Sequence, residues 1–446
     1  MSRRIAAVAF AALACLVFAR PAPAAVERVV SASGIEAWLI EDHGNPLISL
    51  AIGFHGGAAL DPAGKVGLSY LASGLLDEGA GDLDSKTFQA RLADLAIDFS
   101  FEADDDDFIG RMRTLTVHRD EAFGLLHLAL TKPRIDAEPL NRVRNQVLSM
   151  IAAEASDPGN LAGQAWFRLM LDGHPYSRPV KGDAKSLAAI TADDLRLFAT
   201  DRFGRDRMRI AVVGDITAGE LAALLDRYFA DLPAKSGPIA LAEAPPPGPG
   251  GIAVIDRNLG QSIVLFGHAG IKRDDPDFYA AALLDDIMGG GNFASRLQRS
   301  LREQRGLVYS IDTGLITLDH AALLSGSFGT KNASVAEAIE LARGEWRRMG
   351  EAGPTAAELG DAKTHLIGEY ALRFDSTRKA ADALLGIQLA GLPIDYVDKR
   401  AGYFQSVTLA DAKRVAKRLY DAAALRFLVL GRPAGVTGNL PAPPLD

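Results

Sequence analysis

Few residues of this chain stand at spacings that could do chemistry. The only cysteine is Cys15, so thiol catalysis and thiolate metal sites are excluded from everything after it. None of the eight histidines has another three or four residues away, the spacing that sets two imidazoles on one metal from one helix. Gly67-Leu68-Ser69-Tyr70-Leu71 offers a serine but lacks the second glycine of a nucleophile elbow, and Ser73 has no evident His-Asp support. Asp104 to Asp107 are four acids in a row, but no spaced ligand loop with a central glycine follows them, so they read as a solvated hairpin tip rather than a calcium site. Gly289-Gly290-Gly291 suggests a phosphate cradle, yet no Lys-Ser/Thr follows, and close backbone packing is the simpler reading.

These residues must be positioned by the elements around them. Leu47 to Phe54 is an apolar strand, followed by a Gly-rich turn. Leu68, Leu71, Leu75 and Leu76 then make one apolar helical face. Strands at 97–101 and 111–117 follow, then helices over 119–131, 137–155, 160–171 and 191–203, a strand at 208–213, and a helix from Thr217 to Phe229. Residues 232–251 are rich in Pro and Gly and read as a linker. The pattern then restarts, with strands at 262–267, 307–313, 322–328 and 425–430. Its helices fall at 277–288, 293–303, 335–349, 355–373, 378–390 and 409–419. Such a duplication predicts an α+β fold of two similar domains, each an antiparallel-rich sheet with helices on one side. The boundaries are 25–231, the linker 232–251, 252–434, and a tail at 435–446.

Residues 1–24 read as a signal peptide: Arg3 and Arg4, an apolar run from Ile5 to Ala19, and a small-x-small site at Ala22-Pro23-Ala24. A membrane anchor is the alternative, but the run is short for a span. A lipoprotein site at Cys15 is poorly supported by Ala12-Leu13-Ala14. Removing the segment leaves 45 basic against 56 acidic residues, a net charge of −11. An acidic, disulfide-free exported chain fits a periplasm and is a poor candidate for nucleic-acid binding.

A strand, a turn ending in Gly64-Lys65-Val66-Gly67-Leu68, and an apolar helix resemble the opening of the pitrilysin/insulinase family of zinc metallopeptidases. In active members of that family this helix carries H-x-x-E-H, two zinc ligands and the general base. Here those positions are Tyr70, Ser73 and Gly74, and the family's third ligand position falls on Met150, ahead of Asp157-Pro158. The second half contains Leu301-Arg302-Glu303-Gln304-Arg305-Gly306-Leu307-Val308-Tyr309-Ser310, which closely resembles the family's L-R-E-x-x-G-L-x-Y-S segment. The resemblance implies that Arg302 holds a substrate carbonyl and Tyr309 stabilises the developing oxyanion. A fork of N–H donors and a phenol suit those tasks. The alternative is that Arg302 caps a helix and Tyr309 packs in a strand.

In two-chain members of the family the zinc ligands and the Arg/Tyr pair sit on different chains. The resemblance therefore implies a subunit with no cofactor of its own, whose partner carries H-x-x-E-H and the zinc. Activity on peptides would require the complex. A purely structural subunit and a stand-alone peptide-binding homodimer stay open as alternatives.

Overall fold

The computed structural model describes residues 25–290 and 295–445. The signal segment read at 1–24, Gly291 of the glycine run, the start of the helix read at 293–303, and Asp446 of the tail lie outside the described residues.

The described strands form two sheets. The first contains β1 (Glu27–Val30), β2 (Glu36–Glu41), β3 (Leu47–His55), β4 (Asp98–Ala103), β5 (Asp107–Leu115) and β6 (Met208–Gly214) in the order β1-β2-β6-β3-β5-β4. The second contains β7 (Gly251–Asp256), β8 (Gln261–Ala269), β9 (Val308–Leu318), β10 (Ala321–Lys331) and β11 (Arg426–Gly431) in the order β7-β11-β8-β10-β9. Each sheet has one parallel pair, β2 with β6 and β7 with β11, and is otherwise antiparallel. The second sheet thus repeats β2-β6-β3-β5-β4 of the first, strand for strand.

Each inner hairpin is followed by three helices: Arg119–Thr131, Ala137–Glu154 and Pro158–Met170 in one half, Val335–Ala352, Ala356–Glu369 and Thr377–Leu389 in the other. The third helix of each set crosses over. Helix Pro158–Met170 lays Ala162, Ala165, Trp166 and Leu169 on Ala253, Leu323, Leu428 and Leu430 of the second sheet. Helix Thr377–Leu389 lays Ala380, Ala381, Leu384 and Leu385 on Ala51, Ala211 and Val213 of the first. The expectation of helices on one side of each sheet is therefore corrected, because both faces are covered, one of them by the other half.

The composition of β3 follows from this. Ile48, Leu50, Ile52 and Phe54 enter the first half's own core, while Ser49, Ala51 and Gly53 face the visiting helix. Small residues are needed there: a Cβ on Gly53 would stand 3.1 Å from methyls of Leu385 and Leu389. Ser49 Oγ is 2.9 Å from Thr377 Oγ1, and Gln388 Nε2 donates to Ile210 O at 2.9 Å. A strand buried on both faces reads as a continuous apolar run instead of an alternation.

The stretch read as a linker has no regular structure from 234 to 250, but it is held along its length. Gly237 and Ala242 carbonyls accept from Arg207 and His174, Ala244 N donates to His320 O, and Arg426 donates to the Gly248 and Pro249 carbonyls. Strand β7 begins at Gly251, where the sequence reading ended its linker and saw no strand. Helices Ala184–Ala189 and Tyr396–Ser406 were also unread.

Trp166 is buried, and its Nε1 donates to Ser325 Oγ at 3.1 Å. Trp166→Ala removes that contact and leaves a cavity between the halves, so it should lower the free energy of unfolding by about 3–5 kcal/mol. Urea denaturation measures this directly. An unchanged midpoint would mean the crossing helix does not seal the second sheet.

Candidate functional site

The helix opening at Leu68 is placed by its first turn. Gly67 is its N-cap in the left-handed region (φ 94°), and a Cβ there would lie 2.5 Å from Lys181 O. The buried Asp61 carboxylate accepts from Gly67 N at 3.1 Å, Ser69 N at 3.2 Å and Ser69 Oγ at 2.5 Å, and burial pushes it up to about 6. Lys65 pairs with Asp194 on helix Ala192–Arg202. The G-K-x-G-L motif is thus accounted for by packing and capping.

The helix ends at Ser73, shorter than the apolar face implied. Tyr70 is half-buried, and Ser73 Oγ donates to Tyr70 O at 2.8 Å. The space a side chain at Gly74 would need is taken by Val143 of helix Ala137–Glu154, whose Cγ1 lies 2.9 Å from a built Cβ. Met150, on the same helix, is 41% exposed and offers only a thioether. Glu154, the one acid near it, pairs with Lys181, whose ammonium lies 5.6 Å from the centre of the Tyr70 ring. These residues do not fit zinc: one position lacks a side chain, one hydroxyl donates to the backbone, and an ammonium already sits beside the single carboxylate. Among the described residues no group of three His, Cys, Asp or Glu side chains gathers around a common point.

Arg302 and Tyr309 are brought together. Arg302 lies in a π-helical turn, Gln298–Glu303, in place of the regular helical end read from the sequence. Gly306 (φ 60°) reverses the chain, its N–H donating to Arg302 O at 2.9 Å. Tyr309 follows at the start of β9, the last strand of its sheet, paired only to β10. The register slips between Phe328 and Thr330, so that Tyr309 and Ser310 together oppose Gly329. This bulge breaks the in–out alternation and turns both residues outward. Tyr309 is 87% exposed, and the Arg302 guanidinium carbon is 5.8 Å from its ring centre. A strand partner, a cation and a phenol thus converge at one open edge.

The Asp104–Asp107 run corrects its reading as a freely solvated tip. Asp105, Asp106 and Asp107 are half-buried. Asp104, Asp105 and Asp106 carbonyls accept from the N–H groups of 56–59, and Asp106 accepts from the Tyr176 hydroxyl. Asp319 N of the β9–β10 turn donates to Asp106 Oδ2 at 2.9 Å, and His320 N donates to Tyr176 Oη at 3.1 Å. The run therefore joins the hairpin tips of the two sheets. His174 of the His-Pro-Tyr turn accepts from Tyr176 N through Nδ1, at 3.2 Å, so that turn is structural. Gly289 and Gly290 also serve packing, against Thr313 and Asp286.

A family profile described as "Peptidase M16 inactive domain" matches residues 189–366, a span that contains Arg302 and Tyr309. A solved structure of a peptidase M16 inactive domain from Pseudomonas fluorescens is 26% identical, with a TM-score of 0.85 over 94% of this chain and 99% of that one. These matches support a member of the M16 peptidase family. This is the pitrilysin/insulinase family of the resemblance above, and the likeness is to its non-catalytic type. The "Non-peptidase homolog YmxG" of Helicobacter pylori is 24% identical over 392 residues, 87% of this chain and 90% of that protein. An "Uncharacterized zinc protease" of Streptomyces coelicolor is 27% identical over 294 residues, which make up 65% of this chain and 64% of that relative. A protease structure from Helicobacter pylori shares this fold, with a TM-score of 0.83 at 16% identity over 92% of this chain.

Two measurements follow from this geometry. The triple exchange Tyr70→His, Ser73→Glu and Gly74→His should still bind no stoichiometric zinc, because Val143 fills the third position and Met150 is no donor. Metal analysis after dialysis reads this, and full occupancy would show that the pocket can reopen. The Asp105 carboxyl is pushed up to about 7 by burial and then by Asp106 and Asp104. A carboxyl raised above its unfolded value of about 4 adds stability that is complete below that pH and is lost as pH rises through about 7. Asp105→Asn should therefore gain on the wild type in urea midpoint between about pH 5 and about pH 8. A constant difference across that range would mean that the Asp105 carboxyl is not held in a buried place.

Proposed function

We propose that this protein is the non-zinc-binding subunit of a periplasmic M16 metallopeptidase. It would close a proteolytic chamber with a subunit that carries H-x-x-E-H. The observation that carries this reading is Tyr309, an aromatic residue turned fully outward by a bulge on an open strand, with Arg302 beside it. The vacated zinc helix supports it from the other side, since the chain keeps a donor pair and lacks the donors a metal needs.

In this reading an extended peptide adds to the open edge of β9 through main-chain hydrogen bonds. Arg302 directs its guanidinium N–H groups at a substrate carbonyl, holding the peptide in register. The Tyr309 hydroxyl donates to the oxygen of the scissile carbonyl as negative charge develops on it. Zinc, its activated water and the general base would come from the partner. A chamber closed by two chains admits short or unfolded peptides.

The purified chain should hydrolyse no peptide alone and should raise the turnover of an H-x-x-E-H homologue from the same source on mixing. In the assembled complex, Tyr309→Phe should lower kcat by about 100-fold or more, the scale of losing one oxyanion donor. Arg302→Ala should raise KM as well. Normal assembly with unchanged turnover in both variants would leave a purely structural subunit.

A further inference from the structure

A pocket of about 360 Å³ is lined by none of the degenerate zinc positions and by no residue of β9. Three arginines line it: Arg178 after the His-Pro-Tyr turn, Arg202 at the end of helix Ala192–Arg202, and Arg207 just before β6. Each uses at most two of its five N–H donors. Arg202 donates to Gly56 O at 2.8 Å and Leu60 O at 2.9 Å, Arg178 to Ala59 O at 2.8 Å and Pro175 O at 3.3 Å, and Arg207 to Gly237 O at 2.5 Å. Among the described residues, Arg207 Nη1 is buried and has no partner.

No carboxylate lies within ion-pair distance of any of the three among the described residues. The lining acids are Asp61 and Asp201. Asp61 is committed to Ser69 and Gly67 at the opening of the helix, and Asp201 is exposed. Burial lowers Arg178 and Arg202; the Asp61 charge acts on both in the opposite sense, as do Asp105 on Arg178 and Asp201 on Arg202, and Arg207 adds like-charge repulsion on Arg202. Leu60, Pro238 and Leu241 give the lining an apolar part. Guanidiniums with spare, fixed donors match the oxygens of a carboxylate or a phosphate, and an apolar lining matches a compact hydrocarbon body.

We propose that this pocket binds a small organic anion whose carboxylate or phosphate sits among Arg178, Arg202 and Arg207 and whose body lies against the loop Leu60 and the interdomain segment. The site is independent of the peptidase reading, since it shares no residue with Arg302, Tyr309 or the degenerate zinc positions.

The test is calorimetric titration of the full mature chain at low ionic strength with inorganic phosphate, phenyl phosphate and N-acetyl-leucine. At least one organic anion should bind with a Kd of about 1 mM or tighter, and more tightly than inorganic phosphate. Preference between the two organic probes assigns the headgroup. Arg207→Met, which gives up only the Gly237 contact, should weaken that binding by about tenfold or more. On the wild-type chain the same ligand should protect Arg178 and Arg207 from phenylglyoxal, read by mass spectrometry, so the result does not depend on the variant folding. Absence of binding by either organic probe, or binding that neither Arg207→Met nor protection registers, overturns the proposal. Equal affinity for inorganic phosphate overturns the role of the apolar lining.

Discussion

The exchange of one helix between the two sheets is the constraint on which the rest depends. Each sheet has an apolar face that its own half does not cover. Ala51, Ala211 and Val213 on one sheet, and Ala253, Leu428 and Leu430 on the other, are buried only because a helix arrives from across the linker. A fully buried Leu or Trp side chain contributes on the order of 2 kcal/mol against exposure, so parting the halves would expose several such groups at once. The two domains are therefore not beads on a tether. The Pro/Gly segment between them is fastened at Gly237, Ala242, Ala244, Gly248 and Pro249, and the hairpin tips are joined through Asp106, Tyr176, Asp319 and His320.

That rigidity determines what a site in this molecule can be. The bulge at Tyr309 and the π-helical turn at Arg302 are local departures from regular structure, and each leaves a backbone that would relax if its surroundings allowed. They persist because β10 and β8 behind them are clamped to helix Pro158–Met170 and to the core around Phe266. A donor pair on such a support keeps its geometry while its outer face stays open.

Much of this was legible in the sequence, and what was missed has physical reasons. Strands and helices with strong apolar periodicity, such as β3 and helix Arg119–Thr131, stand where the pattern put them. The duplication showed in the order of elements. Strand β7 did not, because Gly251 to Asp256 follows directly on Pro and Gly residues and is only six residues long. The helix crossing was invisible because Ala162, Ala165, Ala380 and Ala381 mark an apolar face without saying which sheet it meets. Four consecutive acids looked like a solvated tip, and only tertiary structure supplied the N–H groups and the Tyr176 hydroxyl that accommodate them. For the candidate site, segment similarity singled out Arg302 and Tyr309, but the exposure of Tyr309 depends on one extra residue opposite Gly329, which periodicity does not register. The arginine pocket had no sequence signal, since its three members come from separate elements.

The degenerate helix carries a further argument about charge. A chain that merely lost its zinc ligands would leave a polar hollow beside Glu154, and an unpaired carboxylate in a half-buried place is costly. In this chain Lys181 supplies the missing positive charge: its ammonium pairs with Glu154 and lies over the ring of Tyr70, while Val143 fills the volume beside Gly74. Cation, aromatic face and carboxylate together form a closed electrostatic unit that draws the Gly182 turn and helix Ala137–Glu154 onto the helix opening at Leu68. These contacts hold the three segments together without a metal. The strand, turn and helix therefore hold their arrangement through packing and charge, with no ligand needed among them.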